Sequence, residues 1–152
     1  MSIAMAVHVL AAVIWVGGMF FAHFMVRPAS LELEIPLRVG LWSRILGRFF
    51  PWVWGCVIAL LISGYWMIFV ELGGFADTSV HIHIMHGLGW LMILLFLFAF
   101  FAPFQSLKKM VRELLFPEAG LEINRIRLIV TINLFLGLTV SAIAASGRYW
   151  VW

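Results

Sequence analysis

Five histidines stand in a chain with little other polar surface: His8, His23, His81, His83 and His86. Each lies in or beside a long apolar run, where an imidazole facing lipid is costly and an ionisable group usually marks function. Neutral imidazole offers a lone pair to a metal and titrates near neutral pH, so the chemistry in prospect is metal ligation, haem ligation or proton transfer. Spacing sorts the five. His8 and His86 each fall about six or seven residues into an apolar run, which at about 1.5 Å per residue sets both about 10 Å below one membrane surface. Two imidazoles at one depth on facing helices suit a six-coordinate haem iron, one ligand on each side of the porphyrin. The alternative is that both are polar cross-links between neighbouring helices.

A porphyrin between helices needs small side chains where its plane nears the backbone. Ala4, Ala11 and Ala12 share the face of His8, and Gly87 and Gly89 flank His86, although small residues also serve ordinary helix packing. Arg148, beside Tyr149, lies at the depth where a haem propionate would meet a cation. The run His81-Ile82-His83-Ile84-Met85-His86 allows a different chemistry. If it is extended, His81 and His83 point the same way, and imidazole with thioether is a set suited to copper; Met1 and Met5 lie on the same side of the membrane. If it is helical, His81 and His83 diverge by about 200° and His83 shares a face with His86. His23 stands about 22 Å along the first helix from His8, without a second histidine at its depth, and reads as a proton-transfer or packing residue.

The elements that must position these groups are membrane spans. The chain has 152 residues, 64% hydrophobic and 11% charged, far from the roughly 25% charged of soluble domains. Four apolar runs, about 2–26, 49–72, 80–101 and 126–146, each match the roughly 20 residues that cross a hydrocarbon core. They form one transmembrane domain, and the first run, without a basic leader, reads as a retained span. Leu37–Arg48 reads as an interfacial amphipathic helix leading into span two, Asp77, Thr78 and Ser79 as caps for the third span, Pro103 as its kink or end, and Gln105–Glu122 as a charged, amphipathic return to span four. Nine of the ten basic residues sit in the first and third connections or beside them, so those connections face the cytoplasm and both termini lie outside. Trp52 and Trp54 at one face, and Tyr149, Trp150 and Trp152 at the other, fit interfacial belts.

The same inventory excludes other classes. A single cysteine, Cys56, can build neither an intramolecular disulfide nor a cysteine metal cluster and reads as a small core residue. All seven acids lie in loops or at span ends, which argues against transport through a buried carboxylate. Phosphate loops and serine–histidine–acid sets are absent, and no basic run suits nucleic acid. Phe96, Phe98, Phe100 and Phe101 read as outward residues, most of which can face lipid. Gly55, Ala59 and Ser63 make a small-residue stripe that serves packing or the cofactor if it faces inward, and a homodimer if it faces outward.

The segments AVHVLAAVIWVGGMFF and RFFPWVWGCVIALLISGYWMIF, followed by a histidine-bearing third span, resemble the copper-resistance D (CopD) family. The layout is also similar to HemJ-type protoporphyrinogen oxidases, in which a histidine early in span one and a lysine in span three are implicated in haem binding. His8 matches the first, while His86 stands in for the lysine, a departure that argues against the oxidase activity. The resemblance implies either copper handling or a b-type cytochrome core. The expectation is therefore an all-α integral membrane four-helix bundle, up-down-up-down, in a bacterial inner membrane. In the leading reading it is a b-type cytochrome with haem b on His8 and His86, exchanging electrons with a quinol or a periplasmic redox partner. The alternatives are copper binding or transport through His81 and His83, and a HemJ-like oxidase.

Overall fold

The computed structural model describes residues 2–149, with the side chains of all of these but Ser2, Asp77 and Arg148. Among the described residues there are six α-helices and no strands: α1 (Ser2–Phe21), α2 (Arg27–Ser30), α3 (Ile35–Trp66), α4 (Val80–Phe101), α5 (Pro103–Arg112) and α6 (Phe116–Ser146). Two π-helical segments, Ala22–Val26 and Met67–Glu71, join α1 to α2 and extend α3. The resulting rods Ile3–Ser30, Ile35–Glu71, Val80–Arg112 and Phe116–Ser146 are each long and apolar enough to cross a membrane. They are called spans one to four below.

Several local expectations change. Leu37–Arg48 does lead into span two, as the first turns of the same helix α3, which runs unbroken past Pro51. A proline inside a membrane helix is tolerated where neighbouring groups satisfy the backbone it frees. Pro103 does end a helix: Ala102 leaves helical geometry at φ −103°, ψ −87°, and the proline opens α5 at a position where its missing N–H costs nothing. The charged return is helical on either side of a turn at 113–115, and α6 begins at Phe116, well before the apolar run. Ser79 occupies the N-cap of α4 without a side-chain capping bond. The Thr78 hydroxyl donates instead to the Phe75 carbonyl, 2.9 Å away. Gly73 and Gly74, at φ 81° and 114°, make the sharp turn between spans two and three.

Span one packs closely on span two, span three on span four, and span four also touches spans one and two. Spans two and three approach closely where α5 meets α3, while α3 and α4 meet chiefly through rings: Phe50 and Trp54 of α3 make edge contacts with Phe96 of α4, and Trp54 also with Phe100 and Phe101. Phe96 is thus 3% exposed and belongs to the core, and Phe100 packs against that core, whereas Phe98 and Phe101 are exposed. The expectation that most of the four face lipid holds for Phe98 and Phe101 but not for Phe96 and Phe100, because the gap between α3 and α4 must be filled with aromatic volume. Trp54 likewise lines the core while Trp52 is exposed. Cys56 is a free, buried core residue. One buried amide crosses the bundle, with Asn133 Nδ2 donating to the Met92 carbonyl at 3.2 Å.

Candidate metal-handling site

Four histidines gather toward one end of the bundle, and the local structure of each follows from a nearby hydroxyl or ring. His8 Nδ1 lies 2.9 Å from Ser63 Oγ on span two. The Ser63 hydroxyl proton is committed to the Ala59 carbonyl at 2.6 Å, the usual back-bond of a helical serine. Ser63 therefore accepts from His8 Nδ1–H, which fixes the tautomer and leaves the Nε2 lone pair open. Gly64 provides the space: a Cβ there would lie 3.3 Å from His8 Cε1. The stripe of small residues thus meets span one at Ser63, which is buried.

The same device holds His83. The Thr78 hydroxyl donates to the Phe75 carbonyl, so it accepts from His83 Nε2–H at 3.1 Å and leaves Nδ1 free. At the opposite end His23 Nδ1 lies 3.1 Å from Thr131 Oγ1, whose proton goes to the Arg127 carbonyl at 2.8 Å. Three histidines on two spans are each pinned by a hydroxyl bonded back to its own backbone. Such a partner on one ring nitrogen is the arrangement that orients histidine for ligation through the other.

Because α4 begins at Val80, the run from His81 to His86 is helical, and the condition for pairing His81 with His83, an extended run, is not met. His81 instead packs against Gly147 at the end of span four. His83 and His86 share a face and both contact the Phe75 ring, at centroid distances of 5.9 and 5.0 Å. His83 is exposed, while His86 is half-buried one turn deeper, enclosed by Tyr65, Phe75 and Trp90. His8 meets span two at Ser63 and Gly64, His86 meets it at Tyr65. Those positions are spread over about 200° of the helix circumference. The Arg148 side chain, expected near a propionate, lies outside the described residues. Among the described residues no three His, Cys, Asp or Glu side chains come together as a ready metal cage. A pair of imidazoles is what the fold offers.

Sequence reading missed Ser63, Thr78 and Thr131 as histidine partners. The available signal was a hydroxyl set one helical turn from a carbonyl at the depth of an imidazole. Replacing Ser63 by alanine should destabilise the protein by about 1–3 kcal/mol, because it strands the His8 N–H away from water. Thermal unfolding in mild detergent measures this, and Ser63→Thr should recover most of the loss. An unchanged midpoint for the alanine variant would contradict the assigned bond.

Compared with known proteins, the chain matches the profile of the family described as Copper resistance protein D (CopD) over residues 43–146, the last three spans. No curated protein and no solved structure matches. The match covers more than half of the chain, so this multi-pass membrane protein belongs to the copper resistance protein D family.

Proposed function

We propose that the protein handles copper within the membrane, taking the ion as cargo through His83 and then His86 at the end of the bundle that carries the short turn after span two. The observation that carries this reading is a copper-resistance family match that includes a pair of histidines sharing a helix face and one ring contact. Imidazole is a good copper ligand, and neutral His83 has its Nδ1 lone pair left open by Thr78. The stagger of three residues, about 4.5 Å, offers the ion an outer contact and a deeper one. Met85, half-buried between them in sequence, adds a soft thioether to the same helix.

The accompanying topology is an up-down-up-down bundle with both termini outside a bacterial inner membrane. Three basic residues from two connections, Arg27, Arg38 and Arg127, line one cavity at the far end, as expected where positive charge stays cytoplasmic.

A second reading, b-type haem on His8 and His86, draws on the locked His8 tautomer, whose open Nε2 is the atom a haem iron would use. When bound, that group would supply one-electron chemistry. Its ligands, however, touch different sides of span two, and the family match leaves out His8. One preparation separates the readings. Protein purified from copper- and haem-replete cells should carry copper near one per chain and show no Soret band. A Soret band that disappears in His8→Ala, in a preparation without copper, would overturn the copper reading.

A further inference from the structure

At the basic end of the bundle lies a cavity of about 510 Å³, within the roughly 300–1,000 Å³ of sites that enclose small ligands. Its walls include Phe21, Trp42, Phe49 and Ile126, all apolar, while Arg27, Arg38 and Arg127 also line it. The three guanidiniums come from α2, α3 and α6. Among the described residues none of the three has a carboxylate partner. Arg27 Nε is buried without any hydrogen-bond acceptor, an arrangement that costs free energy unless an anion completes it. Glu32 and Glu34, in the turn between α2 and α3, are exposed and leave these arginines unpaired.

The cavity is built into the fold. The π-helical segment Ala22–Val26 forms part of its wall, and π-bulges recur at functional sites. Ser30, buried, donates to the Arg27 carbonyl at 2.8 Å and accepts from Trp42 Nε1 at 3.0 Å, which ties α2 to α3 across the cavity. Opposite them, Gly120 leaves open space where a Cβ would stand.

We infer that this cavity binds an anionic phospholipid, its phosphate against the three guanidiniums and an acyl chain along the apolar wall. Guanidinium forks match phosphate oxygens in pairs, and basic pockets between membrane helices on the cytoplasmic side recognise lipid headgroups. Free phosphate shares the head chemistry but would leave the apolar wall to water, so the lipid satisfies both halves of the cavity. The site lies at the opposite end from the histidine pair and involves none of its residues.

Native mass spectrometry of the full chain from mild detergent tests this, with phosphatidylglycerol and phosphatidylcholine added in turn and inorganic phosphate as competitor. Wild-type protein should retain phosphatidylglycerol about tenfold better than phosphatidylcholine. The double variant Arg27→Gln, Arg127→Gln should bring the two lipids to parity, and Arg38→Gln alone should narrow the difference. Gly120→Phe, which fills the cavity and keeps the arginines, should lower retention of phosphatidylglycerol. Parity in the wild type, an undiminished preference in the double or single arginine variants, or full retention in Gly120→Phe would each overturn the proposal. Displacement of the lipid by millimolar inorganic phosphate would reassign the site to a free anion.

Discussion

Gly137→Leu should abolish the monodisperse, folded protein in mild detergent. A Cβ at Gly137 would stand 2.7 Å from Val16 Cγ2 and 3.1 Å from Met92 Cε, so spans one, three and four converge on this one missing side chain. Met92 can swing its terminal methyl aside, but Val16 is β-branched and holds a single rotamer in a helix. Relief must come from moving span one away from span four, which would also disturb the Asn133 bond to the Met92 carbonyl one turn along. Overpacking of this kind costs about 1–3 kcal/mol, occasionally more. Alanine should therefore lower the unfolding midpoint measurably, and leucine should leave mostly aggregated material. Gly55 is the control: nothing lies within 4 Å of its Cβ position, so Gly55→Ala should be neutral or stabilising through helix propensity. Equal tolerance at both positions, read by thermal unfolding and size exclusion, would refute this account of the core.

Gly55 and Gly137 also mark what sequence could and could not say. Four spans were legible because each apolar run approaches the thickness of a bilayer, a signal that depends only on composition over a window. Which face of each span looks inward was not legible, because lipid is as apolar as the core and no polar stripe breaks the symmetry of the helix. Phe96 and Phe98 stand two residues apart in one uniformly apolar run, yet the first is 3% exposed and the second 60%. The boundaries moved for a related reason: Phe116–Ser146 keeps helical geometry through its charged first turns, where hydropathy falls but backbone hydrogen bonding does not. For the candidate site, histidines were easy to single out as rare polar groups, whereas their partners were not. Ser63 is 55 residues from His8 and Thr131 is 108 from His23, separations that only the packing of spans can close. In the basic cavity Arg127 likewise joins Arg27 and Arg38 from the far part of the chain.

The double variant His83→Ala, His86→Ala should reduce bound copper from about one per chain to a small fraction, while His81→Ala keeps it. The difference follows from the helix. His83 and His86 leave α4 on one face and meet the same Phe75 ring, whereas His81 leaves on the opposite side toward Gly147. Removing one imidazole still leaves a single weak ligand, so each single variant should bind less tightly than wild type but more tightly than the pair. Thr78→Ala gives a finer test of the same geometry. It keeps both imidazoles and removes only the hydroxyl that accepts from His83 Nε2–H, and loss of such an orienting partner typically weakens metal binding by about 10–100-fold. If His83 acted merely as a surface histidine, Thr78 would be indifferent to copper. Competition titration of Cu(I) against a chromophoric chelator, with the full chain in detergent, measures all of these variants on one scale. The expected order of affinity runs from wild type and His81→Ala, through Thr78→Ala and the two single histidine variants, to the double variant. An unaltered affinity in the double variant would remove copper from this face of the helix, and an equally severe loss in His81→Ala would mean that the ion sits where spans three and four meet at Gly147.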